Sequence, residues 1–278
     1  MRARKRFGQH FLEAPWADKV VAAISPAHSD RFIEIGPGPG ALTLRLAPRV
    51  AHLTAIEIDR DIAADLAAKL PPNVELVEGD ILDIDLSRFS AAGPVRVAGN
   101  LPYNISSPIL FRLIEAARLG AEPANRREPP RLPTRITDAT LMVQREVADR
   151  LEAVPGTGDY GVLSISVQLH ADVRRVLALP PGAFRPPPKV HSAVVRLTFR
   201  PPPPGLADER LFIDMVRSVF TQRRKTLSNA LAPFAESRGH SAPALLRAAG
   251  VDPARRPETL AIAELVRLAR QFEPPGSA

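Results

Sequence analysis

Between residues 31 and 143, short apolar runs alternate with amphipathic stretches, and this alternation restricts the fold of the 278-residue chain more than any other feature. Arg31–Ile35, His52–Ile58, Val74–Glu78, Val95–Ala98 and Ala139–Val143 read as strands. Helices are expected at 15–25, Ala41–Pro48, Asp59–Leu70 and Ser106–Arg118, the last with Pro108 in its first turn, where a missing N–H is tolerated. Parallel strands need a crossover, usually helical, so this order predicts an α/β fold: a doubly wound, mostly parallel, Rossmann-like sheet. Val173–Leu179 and Ala193–Phe199 are β-rich and extend the sheet as an antiparallel edge. With 45% hydrophobic residues there is enough apolar material for a core.

Pro201–Gly205, four prolines and a glycine, is a stiff linker and the clearest boundary. Beyond it the pattern is helical only, roughly 208–221, 224–236, 242–249 and 259–271. The expected domains are therefore 1–205, with a basic arm at 1–10, and an all-helical 206–278. Residues 120–135 break the pattern with Pro123, Pro129, Pro130 and Pro133 among Arg126, Arg127, Arg131 and Arg135, and read as a mobile surface insertion. Gly156–Asp159 is a further loop.

Charge is unevenly placed. Of the net +7, the arm holds +4 (Arg2, Arg4, Lys5, Arg6) and residues 201–278 hold +3, leaving a neutral body. Two basic elements flanking a neutral body suggest a polyanion held at two places. The absence of cysteine excludes disulfides, thiolate metal sites and a cysteine nucleophile. Six scattered histidines lack ligand spacing, so no metal is expected. No apolar run is long enough to span a bilayer, and no hydrophobic segment follows the basic N-terminus as in a secretory signal. A cytoplasmic protein is expected.

Glu34-Ile35-Gly36-Pro37-Gly38-Pro39-Gly40 lies between a strand and a helix, where glycines let a ligand approach the backbone. Its spacing, G-x-G-x-G, differs from the G-x-G-x-x-G of dinucleotide binders. Glu57 ends the second strand, where a carboxylate can accept both hydroxyls of a ribose. Asp80, followed by Ile81, ends the third, placed to accept from an adenine amine. Independent turns have no reason to fall on successive strand ends. The combination points to an adenosine-bearing cofactor, S-adenosylmethionine rather than NAD.

Asn100-Leu101-Pro102-Tyr103 closes the Pro94–Gly99 run. The Asn100 side-chain oxygen and the Leu101 carbonyl can each accept one N–H of an exocyclic amine, and Tyr103 can stack on the ring that bears it. Pro102 fixes the tip. A plain turn is the alternative, since Asn and Pro are turn formers.

These motifs, with Arg4–Leu12, Phe184-Arg185-Pro186-Pro187-Pro188-Lys189-Val190 and Phe220–Leu227, resemble those of the ribosomal RNA adenine N6,N6-dimethyltransferases, specifically the small-subunit (16S) enzymes. The resemblance covers nearly all of the chain except 120–135. It implies a methyltransferase sheet with a small helical C-terminal domain, S-adenosylmethionine as methyl donor, S-adenosylhomocysteine as product, and ribosomal RNA of an immature small subunit as substrate for a monomeric enzyme. It places cofactor contacts on His10, Leu12, Gly36, Gly38, Glu57, Asp80, Ile81 and Asn100. Phe184 becomes the candidate for the second face of the target base, with an ordinary core phenylalanine as its alternative. Arg2, Arg4, Lys5, Arg6, Arg223, Arg224 and Lys225 become candidate RNA contacts. Many members have Asn at the position of His10 and Asp at that of His191. Other readings are the large-subunit branch that confers antibiotic resistance, a DNA adenine methylase, and a mainly non-catalytic ribosome assembly factor.

Overall fold

The computed structural model describes residues 10–90, 92–118 and 135–272. The expected arginine-rich insertion, apart from Arg135, and the arm residues Arg2, Arg4, Lys5 and Arg6 lie outside the described residues.

The described chain begins with β1 (Phe11–Leu12) and α1 (Ala14–Ile24), then runs through β2 (Arg31–Ile35), α2 (Thr43–Leu46), β3 (His52–Glu57), α3 (Arg60–Ala67), β4 (Val74–Glu78), β5 (Val95–Asn100) and α4 (Ser106–Arg118). Next come β6 (Ile136–Gln144), α5 (Arg145–Glu152), α6 (Val162–Gln168), β7 (Ala171–Leu179), β8 (Phe184–Arg185) and β9 (Ser192–Phe199). The helices α7 (Glu209–Thr221), α8 (Leu227–Glu236), α9 (Ala242–Ala248) and α10 (Ile262–Ala269) complete it.

Among the described residues, seven strands form one sheet in the order β4-β3-β2-β5-β6-β9-β7. Pairing is parallel from β4 to β6 and antiparallel at β9 and β7, as the β-rich runs predict. The central strands are buried on both faces, which is why β2 and β3 read as near-continuous apolar runs rather than alternating ones. β1 and β8 form a separate antiparallel pair, Phe11 opposite Arg185 and Leu12 opposite Phe184.

The sheet order reverses at β2 and β5: the chain moves outward from β2 to β3 and β4, then returns to place β5 on the other side of β2. At such a switch point the connections diverge and leave a crevice beyond the carboxyl ends of the strands. Gly99 is what lets these two strands meet, since a Cβ there would lie 2.7 Å from the Ile35 carbonyl oxygen.

The described residues divide into two compact units, one of those up to Ala148 with Ala171–Arg200, the other of Asp149–His170 with those from Pro201 onward. This differs from the expected division at residue 205. Asp149–His170, assigned from sequence to the first domain, belongs to the helical unit because its apolar side chains have their partners there. Tyr160, Ile165 and Leu169 are fully buried in one cluster with Phe212, Val216, Leu231 and Leu265. The Tyr160 hydroxyl donates to the Leu260 carbonyl at 2.9 Å. No helix among the described residues is long and apolar enough to cross a membrane.

Candidate active site

A cavity opens in the crevice of the first unit, and its walls come from the tips of β2, β3, β4 and β5 together with β1. The turn after β2 forms its floor. Gly36 has φ +66° and Gly38 φ +55°, and a Cβ on Gly38 would press within 3.2 Å of the Phe11 ring. Only glycine satisfies both the backbone angle and the clearance there.

Glu57 fastens this turn. Its Oε2 accepts from the Gly38 amide and its Oε1 from the Asp59 amide, each at 3.0 Å. Burial raises its pKa, the two amide hydrogen bonds opposing. A carboxylate offers about four acceptor positions, so acceptor capacity remains for a ligand beyond these backbone amides. At the end of β4, Asp80 Oδ1 accepts from the Leu82 amide at 2.9 Å, which fixes the carboxylate against the cavity wall beside Ile81.

Glu34, whose sequence context marks it only as the lead residue of the glycine motif, also lines the cavity. It is 1% exposed, and burial pushes its carboxyl from 4.5 up to about 8, against the opposing pull of Thr43 and with help from the Glu57 charge. Its Oε2 is buried without a hydrogen-bond partner. A motif can mark such a residue; only packing shows that it is dry.

The tip of β5 supplies the remaining wall. Asn100 Nδ2 donates to the His10 carbonyl at 2.7 Å. The Pro102 carbonyl is taken by the Ile105 amide and the Ser106 hydroxyl, whereas the Leu101 carbonyl accepts no bond from the described residues. The Tyr103 hydroxyl lies 2.5 Å from Ser192 Oγ, and its ring stacks on the His10 imidazole with centroids 5.4 Å apart. The structure thus brings His10, Leu12, Gly36, Gly38, Glu57, Asp80, Ile81, Asn100, Leu101, Pro102 and Tyr103 to one cavity. Among the described residues no group of three or more His, Asp or Glu side chains is placed to hold a metal ion.

A family model described as ribosomal RNA adenine dimethylase matches residues 1–272. The chain belongs to this family. As a ribosomal RNA adenine dimethylase it is a transferase whose activity is S-adenosylmethionine-dependent dimethylation of adenine in ribosomal RNA. It is 42% identical over 271 residues to a protein of Xanthomonas oryzae pv. oryzae named ribosomal RNA small subunit methyltransferase A, covering 96% of this chain and 95% of the relative. A protein of the same name from Xanthomonas campestris pv. campestris is 43% identical over the same length. Among solved structures, a dimethyladenosine transferase from Plasmodium falciparum aligns with TM-score 0.75 and 26% identity over 93% of this chain and 96% of that one. The 23S rRNA methyltransferase ErmE aligns with TM-score 0.66 and 28% identity over 94% and 99%.

Two residues of this dimethylase sit elsewhere than expected. Phe184 does not line the cavity: it is 1% exposed, faces Leu12 across the β1·β8 pair, and packs in the core with Val20, Leu179 and Val194. In this conformation its alternative reading, a core side chain, holds. Arg223 is not a free cation either. Its Nη1 donates to the Gly158 carbonyl at 2.7 Å and its Nη2 to the Thr157 carbonyl at 3.0 Å, so it staples the loop after α5. Arg224 and Lys225 are exposed.

Proposed function

We propose that this cavity binds S-adenosylmethionine and that the β5 tip holds an extruded adenine of small-subunit (16S) ribosomal RNA for two transfers to N6. The observation that carries the reading is the placing of Asn100 in the same cavity as Glu57 and Asp80, at the switch point of the sheet. The 42–43% identity to small-subunit enzymes supports the choice of RNA.

The residues fit the donor. Glu57 has lone pairs left for a ribose diol, and Asp80 has an oxygen left for an adenine amine. Gly36 and Gly38 leave the floor open, and the unpartnered Glu34 Oε2 can accept from a ligand N–H. His10, Leu12, Ile81 and Asn100 close the cavity around it.

S-Adenosylmethionine, when bound, supplies a methyl group on a good sulfonium leaving group. The chain's task is then positioning. The N6 lone pair of adenine is delocalised into the ring and is a poor nucleophile. Asn100 Oδ1 and the Leu101 carbonyl accept its two N–H bonds, which draws the nitrogen toward tetrahedral geometry and frees the lone pair. Tyr103 stacks on the base. A strong general base is unnecessary, because the methylated ammonium is acidic. The adenine must be unpaired or swung out to arrive here.

Arg2, Arg4, Lys5 and Arg6, with Arg224 and Lys225, contact phosphates of an immature small subunit, on which the enzyme acts as a cytoplasmic monomer. The test is to incubate the protein with labelled S-adenosylmethionine and immature small subunits, large subunits or duplex DNA, and to map dimethyladenosine. Label confined to small-subunit RNA is expected. Label on large subunits would move the protein to the antibiotic-resistance branch, label on DNA to the DNA methylases, and binding without label to a non-catalytic assembly role.

A further inference from the structure

Resting on that reading of the β5 tip, we propose that His10 is a positioning residue for methyl transfer: its carbonyl sets the orientation of the Asn100 amide, and its imidazole braces the Tyr103 ring. The tip is therefore completed by a segment 90 residues away in sequence.

Consider first the amide. A side-chain carboxamide can present either its oxygen or its NH2 to a cavity, and the two orientations have nearly the same shape. Only the oxygen can accept from an amine; the NH2 would oppose it donor to donor. In the structure Asn100 faces the His10 carbonyl at 2.7 Å. A carbonyl oxygen only accepts, so the amide must turn its NH2 there. Oδ1 is the atom left over, and it has no hydrogen-bond partner among the described residues. The choice between a competent and an incompetent amide is thus made before any RNA binds, which is the preorganisation that a positioning mechanism needs.

The same residue fixes the aromatic half. His10 Nδ1 lies 2.7 Å from the Pro186 carbonyl, so Nδ1 carries the proton and the ring is tethered to the segment after β8. Tyr103 stacks on that tethered ring at 5.4 Å and an interplanar angle of 28°, while its hydroxyl is held by Ser192. One face of Tyr103 is spent on His10, and the opposite face is left for the base. Asparagine carries an N–H donor at nearly the same place as Nδ1 and can keep the tether to Pro186. It cannot supply the ring.

The experiment measures single-turnover transfer to immature small subunits at saturating S-adenosylmethionine and saturating RNA, so that a residue acting only through cofactor affinity has no effect. His10→Ala should lose roughly tenfold or more of the rate through misplacement of the pair, with its melting temperature recorded alongside. His10→Asn keeps a donor toward Pro186, and so the placing of the His10 carbonyl, but no ring; it should transfer faster than His10→Ala and slower than wild type. His10→Ala at the wild-type rate, or a His10→Asn variant no faster than His10→Ala, overturns the proposal. A second variant covers the case in which His10→Ala does not fold. Asn100→Asp keeps an acceptor for the amine but sets a carboxylate oxygen against the His10 carbonyl, and should lose roughly 100-fold. Wild-type transfer by Asn100→Asp would also overturn it. If Tyr103→Ala and Asn100→Ala both transfer normally, the reading of the tip itself fails; if they are impaired while His10→Ala is not, only this proposal does.

Discussion

The hydroxyl of Tyr103 lies 2.5 Å from the hydroxyl of Ser192, so the tip of β5 is tied to the first residue of β9. Burial raises the pKa of the phenol, the Ser192 hydrogen bond opposing, and it stays neutral across the physiological range. The ring and the hydroxyl therefore have separable duties. Tyr103→Phe should cost about 0.5–1.5 kcal/mol of stability and leave transfer within a fewfold of wild type. Tyr103→Ala should weaken productive RNA binding by about 1–3 kcal/mol, the worth of one base on an aromatic face. Denaturant melts and rates at subsaturating RNA check the pair; equal rates for Tyr103→Ala and wild type would remove the stacking role.

Phe184 offers the reverse case. Buried among Leu12, Val20 and Leu179, it should behave as a core residue, and Phe184→Ala should destabilise the protein by about 3–5 kcal/mol. A variant that melts like wild type but requires far more RNA would show instead that the ring works at the base.

Glu34 gives the protein a pH signature. The folded state holds a proton on this carboxyl up to about pH 8, whereas a free carboxyl releases it near 4.5. The folded state thus binds more protons between these values, and this contribution to stability is full below about 4.5 and falls as pH rises toward 8. Glu34→Gln should flatten the curve, gaining on the order of 3 kcal/mol on wild type between pH 5 and pH 8. Parallel curves for the two proteins, from urea melts across that range, would contradict a dry Glu34.

The basic pair in the helical unit differs from its neighbour. Arg224→Ala or Lys225→Ala should reduce the magnitude of the log–log salt slope of RNA binding by about 0.7–0.9 each. Arg223→Ala should lower stability, because the carbonyls of Thr157 and Gly158 lose their donor, and leave that slope unchanged. A slope that falls for Arg223→Ala would make it an RNA contact after all.

The sheet was legible because β2 and β3 carry their burial as near-continuous apolar runs, and the cavity because Gly36, Glu57, Asp80 and Asn100 each fall at the end of a strand. Long-range partnerships were not legible. Nothing local says that Phe184 packs under Leu12, that Arg223 reaches back 65 residues to Gly158, or that the His10 carbonyl meets Asn100. Asp149–His170 joined the wrong unit for the same reason: no proline or glycine boundary marks it, and only the burial of Tyr160 against Phe212 and Leu265 reveals its allegiance. Glu34 was in plain view within its motif, but its neutrality depends on desolvation, which a sequence does not display.

The central claim is that the amino group of a swung-out adenine is gripped at Asn100 beside the methyl donor. Asn100→Ala, given immature small subunits and labelled S-adenosylmethionine, tests it most directly when N6-dimethyladenosine and RNA affinity are measured on the same preparation. Loss of all dimethyladenosine with RNA binding nearly unchanged is the predicted result. Dimethyladenosine formed at a rate comparable to wild type would contradict it.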